Sequence, residues 1–339
     1  VADGGTDVTC VGETMIALRP PGRDGLGEAS SFLRGVGGAE SNVACALAAW
    51  GHRTRWIGRV GTDGFGTHVL DTLAAHGVDT SAARRDAHRP TGVYFRTSAE
   101  RAAAQVAYYR AGSAASALSP DLLDRADAWS GRILHLSGVT AALSAGCLAL
   151  LRDLTAPGPG RPAISFDVNY RPGLWHAAPE GPAVLLELAR RSDIVFVGED
   201  EAEAAWGLRG AAAIRAALPE PGVLVVKRAA REAIAYAPGG LVVAEPAPAV
   251  ELVAPVGAGD AFAAGFLSAT LRRLPFPARL RYGHLLAAAA LTSPGDLPDP
   301  APARAHADRL AALGPAAWGT LRLGPGWAEG PNAPEERTA

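Results

Sequence analysis

The sequence predicts an α/β fold: a doubly wound, mostly parallel sheet flanked by helices, with a small antiparallel β lid. Three observations predict it. Short, apolar, β-branched runs alternate with helical-period segments along most of the 339 residues, as in parallel sheets joined by crossover helices. Glycines punctuate the helix ends. Two pairs of strand-like runs in the first third have no helix between them, and these supply the lid.

In chain order, Thr6–Cys10 followed by Gly12 reads as a first strand entering a turn. Ser41–Trp50 is apolar at helical spacing and stops at Gly51, a natural C-terminal cap. Thr54–Val60 reads as a strand, Gly61–Gly66 as a loop, and Thr67–His76 as a helix stopped by Gly77. Further strands are expected at Ile133–Ser137, Ala163–Val168, Ile194–Val197 and Val223–Lys227, with helices at Ala183–Arg190 and Glu199–Trp206. The lid runs are Met15–Leu18 with Ser31–Gly35, and Gly92–Thr97 with Gln105–Arg110. They place the lid at about residues 14–36 and 91–111. Ligands of open α/β sheets bind beyond the carboxyl ends of the strands, so a small sheet there serves as a cover. From Leu321 to Ala339 the chain is Pro/Gly-rich and polar, which predicts a disordered tail after a single domain spanning 1–320.

Composition narrows the function. A content of 48% hydrophobic residues supports a sizeable core, and single cores stop growing near roughly 250–300 residues, so one large domain with a small appendage is expected. A formal net charge of −2 offers no basic field for nucleic acid or membrane. Cys10, Cys45 and Cys147 lie far apart without a C-x-x-C pair, which suits a reducing cytoplasm and excludes a disulfide framework. The first eight residues carry no signal-peptide pattern, and no apolar stretch approaches the roughly 18–20 residues of a bilayer span. The eight histidines show no H-E-x-x-H or paired spacing.

The segment that carries chemistry is Val256-Gly257-Ala258-Gly259-Asp260, followed by an apolar helix. Small residues before a helix let several backbone N–H groups converge on one anion, helped by the helix dipole. An aspartate at that mouth can take a proton from a substrate hydroxyl while the amides of Ala258 and Gly259 neutralise a transferring phosphoryl group. Gly265, one turn in, allows close packing of the helix. Four letters alone also describe an ordinary capped turn.

Other segments agree with the chemical reading. Gly37-Gly38-Ala39-Glu40-Ser41-Asn42 precedes the helix that ends at Gly51. Gly61-Thr62-Asp63-Gly64-Phe65-Gly66, Thr91-Gly92-Val93-Tyr94, Tyr108-Tyr109-Arg110, Phe166-Asp167-Val168-Asn169-Tyr170-Arg171, Val225-Val226-Lys227 and Ser293-Pro294-Gly295-Asp296 follow in order. This arrangement, from about Val8 to Leu313, resembles the phosphofructokinase-B/ribokinase family of carbohydrate kinases. With one lysine and no G-K pair, a Walker A loop is excluded. The runs DVNYR-x-x-LW, GGAE-x-N and YYR-x-GSA look most like the 2-keto-3-deoxygluconate kinases.

The resemblance implies a ribokinase-like fold, ATP as phosphate donor and Mg²⁺ as cofactor. It implies Asp260 as base with an anion hole at Gly257, Ala258 and Gly259. On the sugar side it implies Gly38, Ala39, Glu40, Ser41, Asn42, Tyr94, Tyr108 and Asp296. Arg110 and Arg171 are candidates for an acceptor carboxylate, which suits arginine's planar fork. Asn169, Lys227, Gly257 and Gly259 fall on the nucleotide side, and Glu201 orders the metal through water. Glu13 is read as structural. Lid sheets of the family often clasp across a dimer, so a homodimer is expected, with no nucleic-acid or membrane partner. Alternatives are a fructokinase-like enzyme acting on a neutral sugar, and a nucleotide- or sugar-binding protein with weak catalysis.

Three places depart from the family pattern. Ala254-Pro255 stands where an Asp is usual, removing a carboxylate that in some relatives helps hold a monovalent cation. Ala229 and Glu232 replace glycines of K-x-G-x-x-G, and a positive φ at either costs about 1 kcal/mol or more. Gly198 replaces the polar residue of N-x-x-E. Weaker ATP affinity is expected, with base and amides intact.

Overall fold

A computed structural model describes residues 5–22, 24–97, 106–175, 180–298, 300–330 and 336–337. The strands are β1 (Val8–Val11), β2 (Met15–Arg19), β3 (Leu33–Gly37), β4 (Thr54–Ile57), β5 (Arg59–Gly61), β6 (Arg84–Asp86), β7 (Val93–Arg96), β8 (Val106–Tyr109), β9 (Ile133–Ser137), β10 (Ala163–Asp167), β11 (Ile194–Gly198), β12 (Val223–Lys227), β13 (Glu232–Tyr236) and β14 (Val242–Pro246). The helices that frame the site are α1 (Ala39–Ala49), α2 (Gly64–Ala75), α3 (Ala145–Leu154), α4 (Ala183–Arg190), α5 (Glu199–Trp206), α6 (Ala258–Leu271) and α7 (Phe276–Leu291).

Eight strands form the main sheet in the order β14-β13-β12-β11-β10-β9-β1-β4. Pairing is parallel from β4 through β12 and antiparallel across β12-β13-β14. The chain leaves β1 toward β4 on one side and later returns as β9 on the other. Crevices open at such switch points.

Strand alternation divides the apolar side chains between two layers. Phe196 and Val225 pack with Phe262, Phe266 and Leu285 on one face. Val195, Val197, Leu224 and Val226 pack with Leu151, Leu185 and Leu188 on the other. Helix α6 lies close on α7 because Gly265 has no side chain; a Cβ there would come within 2.2 Å of the Tyr282 carbonyl oxygen.

Several expected boundaries shift for local reasons. Helix α2 begins three residues earlier than its periodicity suggests, because Asp63 Oδ1 accepts a hydrogen bond from Gly66 N at 2.7 Å and caps it. The expected strand Thr54–Val60 breaks at Gly58, where a Cβ would lie 2.1 Å from the Trp56 ring; β5 then leaves the main sheet and pairs with β6. Ala229 holds φ +51° while Glu232 lies in regular β13. The strain expected from the two missing glycines therefore falls on Ala229 alone.

The lid is a four-stranded sheet in the order β3-β2-β7-β8. It is antiparallel within each hairpin, and the hairpins meet through the parallel pair β2–β7. Gln105, the expected first residue of the last lid strand, lies outside the described residues.

The expected disordered tail is corrected as far as Gly330. Leu321, Leu323 and Trp327 are each 1% exposed or less, and Arg322–Leu323 pairs in parallel with Ala249–Val250. Isolated apolar residues among prolines and glycines carry no periodicity, yet here they close one edge of the core. Residues 331–335 and 338–339 lie outside the described set. Among the described residues no helix is long and apolar enough to cross a membrane.

Candidate active site

The carboxyl ends of the parallel strands and the lid bring most of the predicted residues to one cavity of about 530 Å³. The turn after β1 brings Glu13, β7 brings Tyr94 and Arg96, β8 brings Tyr108, and the segment after it brings Arg110. The loop after β10 brings Asn169 and Arg171, and the start of α6 brings Gly257 to Asp260.

Gly257 caps α6 with φ +70°, a left-handed conformation that glycine adopts without strain. A Cβ at this position would sit 2.0 Å from the Asp296 carbonyl oxygen, so only glycine lets the 257–260 loop and the 293–296 loop touch. The first N–H groups of a helix have no partner within it, and Ala258 and Gly259, at the start of α6, both line the cavity.

Asp260 occupies the first turn of α6. Its Oδ2 accepts a hydrogen bond from Asn42 Nδ2 at 2.8 Å, and its Oδ1 faces Asn169 Nδ2 at 3.4 Å. Asn169 holds φ +43°, a region Asn tolerates better than most residues. Burial pushes the Asp260 carboxyl up to about 7, against the Asn42 hydrogen bond; the nearby Asp167 charge adds to the rise, while Arg171 and Lys227 oppose it. A carboxylate poised near neutrality suits a general base.

Lys227 does not line this cavity. Its ammonium is bonded to Asp167 Oδ1 at 3.1 Å and Oδ2 at 3.0 Å. Burial works against the charge, but Asp167 and then Glu201 hold the Lys227 pKa above its ordinary value. Glu201 also sits beside the cavity rather than in its wall. Its Oε2 accepts from Gly198 N at 2.8 Å and its Oε1 from Arg171 Nη1 at 3.2 Å.

Gly38, Ala39 and Asn42 line the cavity, but Glu40 and Ser41 do not, correcting their assignment as sugar-site residues. Glu40 is 1% exposed and points back under the sheet, accepting hydrogen bonds from Ser137 Oγ at 2.7 Å and Thr140 Oγ1 at 2.8 Å. Gly12 makes room for it, since a Cβ there would meet Glu40 Cδ at 2.1 Å. Ser41 Oγ donates to the Gly38 carbonyl at 3.1 Å. Residues at the start of a helix point back toward its N-terminus, here into the core.

On the lid side, Tyr94 donates to Asp296 Oδ2 at 2.5 Å. Tyr108 stacks beside it at 5.7 Å between ring centroids and is half exposed. Asp296 also pairs with Arg96 at 3.2 Å. Arg110 is buried, lies 5.4 Å over the Tyr108 ring and bonds Glu13. Arg171 is half exposed on the rim.

Sequence reasoning missed Glu13 and Arg96. Arg96 follows Tyr94 by two residues on β7, so both side chains leave the same face of the lid. That period was visible in the sequence. Glu13 gave no such signal.

The family model for the pfkB family carbohydrate kinases matches residues 5–304. A 2-dehydro-3-deoxygluconokinase of Bacillus subtilis is 33% identical over 300 residues, covering 86% of this chain and 91% of the relative. A solved PfkB protein from Polaromonas sp. superposes with a TM-score of 0.78 at 33% identity, covering 91% of this chain and all of that one. A fructokinase with bound ATP from Xylella fastidiosa superposes with a TM-score of 0.74 at 24% identity, covering 86% and 95%, and shares the fold. With Asp260, the helix mouth and the lid meeting in one cavity, and with the family model matching most of the chain, this protein belongs to the pfkB family of carbohydrate kinases.

Proposed function

We propose that this carbohydrate kinase transfers the γ-phosphate of ATP to the terminal primary hydroxyl of 2-keto-3-deoxygluconate or a close analogue, with Asp260 as base. One observation carries the reading: Asp260, at the mouth of α6, faces the same cavity as Arg110 and Arg171. The acceptor's carboxylate points toward the arginines and its far hydroxyl toward Asp260. As the hydroxyl oxygen forms its bond to the γ-phosphorus, its proton passes to an Asp260 carboxylate oxygen. The bond between that phosphorus and the bridging oxygen breaks, and ADP leaves. Asn42 fixes the carboxylate's orientation, and the amides of Ala258 and Gly259 stabilise charge on the transferring group. The lid keeps water from the γ-phosphate.

Among the described residues no three His, Cys, Asp or Glu side chains cluster to hold a metal. That fits Mg²⁺, which arrives on phosphates, keeps several waters and needs one or two carboxylates. Glu201, with Asp167 nearby, would order those waters, and the ion would supply neutralisation of phosphate charge.

A neutral acceptor such as fructose is the second reading. It is favoured by the pairing of each cavity arginine with a carboxylate: Arg110 with Glu13, Arg96 with Asp296, Arg171 with Glu201. ADP release measured across sugar acids and neutral sugars at equal concentration separates the two. The sugar-acid reading expects most of the rate on the acids, and equal rates on neutral sugars refute it.

In this reading the protein works in the cytoplasm, where its three free, buried cysteines stay reduced. The lid's exposed Leu33, Val106, Tyr108 and Tyr109 support a homodimer in which a second copy's lid covers them. Sedimentation equilibrium tests that pairing, and a monomer at micromolar concentration contradicts it.

A further inference from the structure

Glu13 follows β1 on the turn opened by Gly12, and its carboxylate is 2% exposed beside the acceptor cavity. Its Oε1 accepts a hydrogen bond from Ser113 Oγ at 3.1 Å, and its Oε2 accepts from Arg110 Nη2. Both donors arrive from the segment after β8, about a hundred residues away in the chain. Gly92 keeps the space for this carboxylate, since a Cβ there would stand 3.1 Å from Glu13 Oε1.

The pair is expensive to bury. Desolvation of two charges commonly exceeds their mutual attraction, so a buried ion pair is weak evidence for stability. Burial raises the Glu13 carboxyl above its ordinary range, with Arg110 and Ser113 opposing the rise. Yet the pair stands in the cavity wall, and Arg110 keeps a buried Nε with no partner among the described residues. The Nη2 corner of the guanidinium is pinned on Glu13, while Arg110 itself still lines the cavity.

We propose that Glu13 is a positioning residue for the acceptor. It fixes the plane of Arg110 so that the free donors meet the acceptor's carboxylate in the orientation that carries the far hydroxyl to Asp260. Because it also neutralises Arg110, the site selects a singly charged sugar acid by geometry more than by charge alone. This inference rests on the sugar-acid reading above and deepens it.

A double-mutant cycle on the full-length enzyme tests it, with 2-keto-3-deoxygluconate and ATP as substrates. Glu13→Gln keeps the shape and removes the charge. A misplacement of about 1 Å costs up to about 10²-fold in rate, so a loss of about tenfold in kcat/KM is expected, carried mainly by kcat. In an Arg110→Met background the same change costs less than about twofold, because a residue acting through Arg110 has nothing left to position. Glu13→Asp, which keeps the charge one methylene short, falls between wild type and Glu13→Gln, and circular dichroism melts confirm that each variant is folded. Equal losses in both backgrounds, the mark of a structural residue, overturn the inference, as does a Glu13→Gln enzyme with unchanged kcat. Failure of the acceptor reading shows elsewhere, as a wild-type enzyme that turns over neutral sugars and not the acid.

Discussion

Replacing Gly257 with alanine tests whether the proposed anion-hole loop needs its backbone where the structure holds it. The added methyl meets two obstacles. Residue 257 has φ +70°, which costs a non-glycine residue about 1–3 kcal/mol. Its Cβ would also lie 2.0 Å from the Asp296 carbonyl oxygen and 2.9 Å from its carbon. A relaxed carbon–oxygen contact is about 3.3 Å, so the two loops must separate by about 1.3 Å. Both obstacles are backbone, and neither can swing aside like a side chain. Strain of this size is small against the roughly 5–15 kcal/mol that holds a domain folded, so the variant folds. The displacement acts on catalysis instead, since about 1 Å of misplacement costs about 10²-fold. Steady-state ADP release should therefore show kcat lowered by about 10²-fold while the melting temperature falls only a few degrees. Gly64→Ala serves as control, because nothing lies within 4 Å of its added methyl. A folded Gly257→Ala enzyme with kcat within threefold of wild type would show that the loop's backbone position does not govern the rate.

Two further outcomes follow from buried charges. Lys227→Met leaves Asp167 buried and unpaired, which destabilises by about 3–5 kcal/mol; it also removes a cation that lowers the Asp260 pKa, so the rise of kcat/KM with pH moves above about 7. Urea melts and a pH–rate profile check both, and an unmoved profile contradicts the electrostatic link. Glu40 is held up to about 7 by burial, so between about pH 4.5 and 7 the native protein keeps a proton the unfolded chain has released. Its contribution to stability therefore falls with rising pH by about 1.4 kcal/mol per unit. Burial lowers His135 to about 3 and His284 to about 4, which acts in the opposite sense below about pH 6.5, where the unfolded chain takes up protons first. Glu40→Gln removes one side of this balance. Its unfolding free energy should gain a slope about 1.4 kcal/mol per pH unit more positive than wild type between about pH 4.5 and 6.5, and parallel slopes refute the assignment.

Most of the architecture was legible because the main sheet is buried on both faces. Ile133–Ser137, Val223–Lys227, Ala183–Arg190 and Glu199–Trp206 form their elements with the expected bounds. Continuous apolar strands and amphipathic helices announce themselves through period alone. Boundaries set by single side chains, such as the Asp63 cap or the Trp56 ring beside Gly58, depend on geometry that period does not carry.

The site was legible where chain direction decides contact. Asp260, Asn42, Arg171 and Tyr94 reach one cavity because strand ends and helix starts converge there. Glu40 was misplaced because GGAE reads as one continuous loop, whereas the helix begins at Ala39 and turns the next side chain inward. Glu13 reads as structural in the sequence because its partners, Arg110 and Ser113, lie far along the chain. Only the folded lid shows that its carboxylate stands in the wall of the cavity.

The single-turnover rate of Asp260→Asn shows whether Asp260 removes the acceptor's proton. Loss of a general base costs about 10²–10⁴ in rate. The variant should bind ATP and the sugar acid as wild type does, transfer phosphate slower by that factor, and lose the rise in rate near pH 7 that the wild-type carboxyl imposes. Phosphoryl transfer at close to the wild-type rate, with that pH dependence intact, would contradict the account.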